Sequence, residues 1–180
     1  MSTDENPCNW DGVNCVNGTS NPRVWSLNLA GMNLMGSLSP SLSNLTFLRV
    51  VNVSKNNLSG KIPPELGDCL QLEILDVSNN MLQGEIPLQL SMLSSLRKLY
   101  MFNNTIGGNL PQELGNLSPL LEFFIFNNNL TSEFPSSFKY LKNFKAFQGG
   151  NNKLSGPIPL EISECDSLQV LGLSQNNFQG

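Results

Sequence analysis

Histidine is absent from the 180 residues, and with it goes the commonest general base and metal ligand near neutral pH. Ser-His-Asp and Cys-His catalytic arrangements are therefore excluded, as is any zinc site built on imidazole. Charge is sparse: 10 Lys and Arg against 14 Asp and Glu leave a formal net charge of −4. No basic run is present to hold a nucleic acid or an anionic membrane surface. No apolar run reaches the roughly 18 residues of a membrane-spanning helix. The opening Met1-Ser2-Thr3-Asp4-Glu5 carries no apolar signal segment. The acidic residues, such as Glu73, Asp76 and Glu122, scatter through variable positions. They do not suggest the carboxylate pair, about 5 to 9.5 Å apart across a cleft, that glycoside hydrolysis needs. Gly107-Gly108 and Gly149-Gly150 lack the lysine of a phosphate-binding loop and read as turns. Neither an enzyme site nor a cofactor or metal is expected, and the length suits one domain.

What is present is a period. The pattern LxxLxLxxNxLxGxIPxxLxxLxx restarts every 24 residues, at Val24, Leu48, Leu72, Leu96, Leu120, Phe144 and Leu168. In register, Leu27, Val51, Leu75, Leu99, Phe123, Phe147 and Leu171 form one column, and Leu29, Val53, Val77, Met101, Ile125, Gly149 and Leu173 the next. The alternation around them, as in Leu72-Glu73-Ile74-Leu75-Asp76-Val77, is the signature of a short strand with one face buried. One such strand cannot bury its apolar face alone, so the copies must stack into a parallel-stranded solenoid. A third column, Asn56, Asn80, Asn104, Asn128, Asn152 and Asn176, puts an amide at each turn, where it can bond orphaned backbone groups of the adjacent coil. Met32 stands there in the first copy, which reads as an atypical terminal repeat. Glycine recurs beyond the Asn at Gly36, Gly60, Gly84, Gly108, Gly156 and Gly180, followed by Leu or Ile and Pro in most copies.

The period falls in the leucine-rich-repeat range of about 20 to 29 residues. The Leu-x-Gly-x-Ile-Pro half, as in Leu58-Ser59-Gly60-Lys61-Ile62-Pro63 and Leu154-Ser155-Gly156-Pro157-Ile158-Pro159, resembles the plant-specific extracellular subtype. That subtype occurs in leucine-rich-repeat receptor kinases, receptor-like proteins and polygalacturonase-inhibiting proteins. The resemblance implies a leucine-rich-repeat solenoid of α/β-type repeats. Parallel strands would line the concave face, with 3-10, irregular and short helical segments on the convex side. About six full repeats and a truncated seventh are expected over residues 23–180, after a partial cysteine cap at 1–22. The segment from Leu130 to Asn151 and on through Asn176 is similar to ectodomains of peptide-hormone receptor Ser/Thr kinases. Such ectodomains bind a secreted peptide on the inner face and recruit a co-receptor kinase. Their paired arginines for a peptide carboxylate are not matched, since Arg97 and Lys98 are adjacent and point to different faces.

The stretch Cys8-Asn9-Trp10-Asp11-Gly12-Val13-Asn14-Cys15 matches the family's capping motif CxWxGVxC, which implies a Cys8–Cys15 disulfide over the open end of the core. Cys69 and Cys165 replace Leu at one core position of two repeats, too far apart to bridge, and read as small buried hydrophobes. Seven N-x-S/T sequons, at Asn17, Asn44, Asn52, Asn57, Asn103, Asn116 and Asn129, together with the cap favour a secreted or cell-surface glycoprotein. Pro119 weakens Asn116. The chain lacks the helical stretch that precedes the cap in the family and stops before the last repeat's Ile-Pro half. A fragment is expected, joined to a membrane only through a segment beyond Gly180.

Strand residues between the core columns should face solvent on the concave side, where solenoids read their partners. They include Trp25, Ser26, Ser54, Ser78, Arg97, Lys98, Glu122 and Lys145. Among them Tyr100, Phe102, Phe124 and Phe126 should form a two-by-two aromatic block on adjacent strands. Two readings stand: a peptide or protein contact surface flanked by Arg97, Lys98, Lys145 and Glu122, or cross-strand pairing that only stabilises the sheet. Seven of ten phenylalanines lie between Phe123 and Phe147, and most should be core packing that compensates for Gly149. Two functions follow from the resemblance: the ligand-binding ectodomain of a receptor kinase, or a secreted apoplastic inhibitor like the polygalacturonase-inhibiting proteins.

Overall fold

The computed structural model describes residues 6–16, 22–158 and 160–179. Among the described residues, eight strands form the main sheet: Val13–Cys15, Val24–Asn28, Val50–Asn52, Ile74–Asp76, Lys98–Tyr100, Glu122–Phe124, Ala146–Gln148 and Val170–Gly172. The first pairs antiparallel with the second, and all the others are parallel to their neighbours. Register follows the period: Leu27, Val51, Leu75, Leu99, Phe123, Phe147 and Leu171 stand opposite one another. Because neighbouring coils differ by one whole repeat, each core residue stacks on its own equivalent. The core becomes a set of like-on-like rows.

The opposite side of each coil is a short 3-10 turn: Pro40–Asn44, Pro64–Asp68, Leu88–Met92, Gln112–Asn116, Ser136–Tyr140 and Leu160–Glu164. A proline sits at or just before the first residue of the turns up to Ser136–Tyr140, where its missing N–H costs nothing. These turns aim Leu66, Leu90, Leu114 and Phe138 into the core, all fully buried.

A second sheet, not anticipated from the pattern, joins the two sides. Met35–Ser37, Asn57–Gly60, Met81–Gly84, Thr105–Gly108 and Asn129–Leu130 pair in parallel. Most of these strands end on a repeat glycine at positive φ, +78° at Gly60 and +81° at Gly84, a conformation open to glycine and strained for L side chains. The regular ladder ends at Asn129–Leu130, a single parallel bridge from Glu133 to Ser155 carries it on, and Ser155–Gly156 pairs with Asn177–Phe178. The narrowing coincides with Ser132, which replaces the glycine and does not adopt positive φ. Its Oγ instead accepts from the Leu110 N–H at 3.0 Å.

Phe123, Phe134, Phe138, Phe144 and Phe147 pack mostly edge-to-face in the core, with centroids 5.1 to 6.5 Å apart. A Cβ at Gly149 would lie 2.5 Å from Phe147 Cε1, so that ring occupies the space the missing side chain leaves. Cys69 and Cys165 are buried and free. Burial pushes both thiols up, as an apolar setting should.

Candidate functional site

The sheet geometry brings the four aromatic side chains together. Tyr100 and Phe124 end adjacent strands in direct register, and their rings stack with centroids 5.0 Å apart. Phe102 and Phe126, two residues further on, stack at 4.5 Å with planes 9° apart. Both separations are close to the strand spacing of about 4.8 Å, so the stacks run along the solenoid axis. All four residues are half-buried. The preceding repeats differ. There Asn52 Oδ1 accepts from the Ser54 N–H and hydroxyl, and Asp76 Oδ1 does the same for Ser78. Ser54 and Ser78 are thereby folded under and buried, as Ser26 is beside the first strand, which corrects their reading as solvent-facing.

One charged cluster borders the rings. The Tyr100 hydroxyl donates to Glu122 Oε2, while Lys98 Nζ lies 3.2 Å from Glu122 Oε1. Burial pushes the Glu122 carboxyl up, but the bonds from Tyr100 and Lys98, helped by Lys145, outweigh it and hold the group below its ordinary range. Burial and the neighbouring carboxylates push the Tyr100 hydroxyl above the ordinary tyrosine range. Arg97 and Lys145 are exposed on the same side of the block. A second pair, Arg49 Nη1 to Glu73 Oε1 at 3.2 Å, lies two repeats away.

Two rows of amides run below the rings. Each inward Asn ties three backbone groups across coils. Asn104 Oδ1 accepts from the Leu82 N–H at 2.9 Å, while its Nδ2 donates to the Val77 and Met101 carbonyls at 3.0 Å each. Asn56, Asn80, Asn128, Asn152 and Asn176 repeat the arrangement. The second row escaped sequence reasoning. The residue before each inward Asn sits at positive φ, as at Lys55, Asn79, Asn103, Asn127, Asn151 and Gln175, between 51° and 56°. Asn tolerates that conformation. Four of these side chains form a chain of their own, Asn151 donating to Asn127 at 2.9 Å, Asn127 to Asn103 at 2.5 Å and Asn103 to Asn79 at 2.7 Å. The doubled Asn-Asn of four repeats was the available signal.

Cys8 and Cys15 form a disulfide with Cα atoms 5.6 Å apart. It closes the turn that lays Val13–Cys15 along the first repeat strand. Of the sequons, Asn44, Asn57, Asn116 and Asn129 are exposed, Asn52 and Asn103 are half-buried, and Asn17 lies outside the described residues. Among the described residues no group of three or more Cys, Asp or Glu side chains could hold a metal ion, and no helix is long and apolar enough to cross a membrane.

The Leucine Rich Repeat family matches residues 47–69, 71–93 and 95–117, three consecutive copies in phase with the strands and turns described above. The chain is a leucine-rich-repeat solenoid. The relatives it is similar to include plant receptor-like kinases. The LRR receptor-like serine/threonine-protein kinase EFR of Arabidopsis thaliana is 53% identical over 47 residues, 26% of this chain and 4% of EFR. The solenoid superposes on the PEPR1–AtPEP1 complex with a TM-score of 0.92 and 35% identity, covering 97% of this chain and 24% of that one. The Arabidopsis receptor kinase HAESA, solved with the peptide hormone IDA and the co-receptor SERK1, gives 0.77 and 31%, covering 80% of this chain and 24% of that one. The leucine-rich-repeat solenoid thus spans about a quarter of these solved ectodomains and a few per cent of its curated relative.

Proposed function

We propose that this solenoid is a ligand-recognising segment of an extracellular plant leucine-rich-repeat receptor kinase. In this reading it binds a secreted peptide or protein on its concave face, and a co-receptor kinase is a further partner. The observation that carries the reading is the aromatic block. At positions where the two preceding repeats place buried, self-satisfied Ser and polar caps, the repeats at Tyr100 and Phe124 place four half-exposed rings. Clustered, partly exposed rings are costly in water and are typical anchors of an interface. The flanking Arg97, Lys98, Glu122 and Lys145 supply a polar rim. The likeness to receptors solved with peptides supports the class of ligand. The site belongs to recognition, and any kinase chemistry would reside outside these residues.

The competing use of the block is packing alone, and a pair of substitutions separates the two. Phe102→Ser with Phe124→Ser should abolish capture of peptides selected from a displayed library of secreted-peptide sequences. The loss of two stacked pairs should cost only about 1–3 kcal/mol of stability. A variant that unfolds, or one that folds and still binds, would sink the contact-surface reading. Native fractionation bears on the larger context. A detergent-dependent, glycosylated species much larger than this chain is expected in plant tissue, and a small soluble wall protein would favour an apoplastic inhibitor instead.

A further inference from the structure

The Phe102–Phe126 stack ends abruptly. One ring of the pair lies in each of two successive repeats, and the equivalent position of the next repeat is Gly150, followed by Ser174 in the one after. Phe126 therefore has one face covered by Phe102 and the other turned toward a position without a side chain. The parallel row Tyr100, Phe124, Gln148 ends likewise at Gly172, which stands in register with Gln148. The result is a recess of about 200 Å³ beside the block, walled by Phe126 and Gln148, floored by Gly150 and Gly172, and closed by Asn151 and Ser174.

A left-handed backbone does not require these glycines. Neither adopts positive φ. A Cβ at Gly172 would meet ordinary contacts at 3.5 to 3.7 Å from Gln148, whereas one at Gly150 would sit tightly, 3.1 Å from the Ser174 carbonyl oxygen and 3.2 Å from its Oγ, so that Ser174 would have to yield slightly. Contrast Gly67 and Gly115, where a Cβ would come within 2.5 Å of a backbone oxygen of the next coil. Gly172 thus does little for the fold, whereas Gly150 also lets its coil lie close to Ser174, and the missing side chains of both open the recess.

Resting on the peptide reading above, we infer that this recess is a subsite for one planar, uncharged side chain of an extended peptide, its ring continuing the Phe102–Phe126 stack over Gly150. Three observations select that occupant. The open face of Phe126 offers the geometry its partner Phe102 already uses at 4.5 Å. The walls and floor carry no charged side chain, while the neighbouring Lys98, Glu122 and Lys145 satisfy one another nearby. The amide row also terminates here. Asn151 donates to Asn127, but among the described residues nothing donates to Asn151 Oδ1, and the Gln148 side chain makes no hydrogen bond. One open acceptor and one open amide match the single N–H and C=O of a peptide unit. A sugar ring would bring more hydroxyls than these groups satisfy.

Fragments test the subsite directly on the full 180-residue chain. N-acetyl-phenylalanine methylamide, N-acetyl-glycine methylamide and methyl glucoside would each be titrated while backbone and side-chain amide signals are followed by NMR. The phenylalanine probe should shift the signals of Gly150, Gly172 and the Asn151 side chain and give contacts to the Phe126 ring. The glycine probe should not. Gly150→Leu should abolish the shifts by filling the slot, and Gly172→Ala, the milder change for the backbone, should weaken them without altering thermal stability. No response to the phenylalanine probe, a stronger response to the glucoside, or full binding by folded Gly150→Leu would each overturn the inference. A library-selected peptide lost on Phe124→Ser but retained on Gly150→Leu would refute the recess alone and leave the aromatic contact surface standing.

Discussion

At the scale of single residues, the amides of the inward row hold coil to coil with side chains where sheets use backbone. Asn104 is representative, since it satisfies the Leu82 N–H and the Val77 and Met101 carbonyls at once. Asn104→Ala would leave three backbone groups in a partly buried setting, at about 1 kcal/mol or more each. The expected loss is roughly 3 kcal/mol in urea unfolding, with Asn104→Asp no better because it keeps the acceptor and loses both donors. These six asparagines were legible because they recur at one spacing with no other polar residue so regular. The outer row was less so, because Lys55 and Gln175 interrupt it and its cause is a backbone angle that no periodicity displays. Buried Ser54 and Ser78 were misread for a related reason. Their Oγ atoms turn back to Asn52 and Asp76, a local bond that competes with solvent exposure.

At the scale of elements, strands of the main sheet followed from alternation, while the second sheet did not. Three of its strands contribute one buried apolar residue each, Leu58, Leu82 and Ile106, beside more exposed neighbours and a glycine, while Met35–Ser37 buries none. That is too short a stretch for a period to register. In the repeat where Ser132 replaces the glycine, the regular pairing narrows to a single bridge between Glu133 and Ser155. Ser132→Ala would remove the acceptor for the Leu110 N–H, and a cost of about 1–2 kcal/mol is expected, read as a lower midpoint in chemical denaturation. The main sheet carries an electrostatic counterpart in Lys98, Glu122 and Tyr100 on neighbouring strands. Because the folded Glu122 carboxyl is held low, its contribution is complete above the ordinary carboxylate range and is lost as pH falls through the lowered folded value. Tyr100 behaves oppositely: its contribution is complete below the ordinary tyrosine range and fades as pH rises through its raised value. Glu122→Gln should flatten the acid limb of a thermal-stability profile against pH and only lessen the alkaline one, since burial is the larger cause of the raised Tyr100 value. The effect should be small, since surface-exposed pairs are well screened. An unchanged profile would show that the cluster contributes nothing to folding.

For the whole molecule, the question is which surface stays open to a partner, and glycans answer it because each covers what surrounds it. Asn44 and Asn116 end 3-10 turns on the convex side, and Asn57 and Asn129 lie in the second sheet; all four are exposed. Asn52 and Asn103 belong to the concave strands and their margin, and both side chains are already engaged. Asn52 Oδ1 holds the Ser54 turn, and Asn103 Nδ2, the atom a glycan would take, donates to Asn79 at 2.7 Å. Glycosylation at Asn103 would also place a bulky chain beside Phe102 and Phe126. The expectation is high occupancy at Asn44, Asn57 and Asn129, lower occupancy at Asn116 because of Pro119, and little or none at Asn52 and Asn103. Site-resolved mass spectrometry after enzymatic glycan release in heavy-oxygen water reads this out. Full occupancy of Asn103 would cover the aromatic block and count against its use as a contact surface, whereas glycans confined to the turns and the second sheet would leave the face with the stacked rings as the broad uncovered surface of the solenoid.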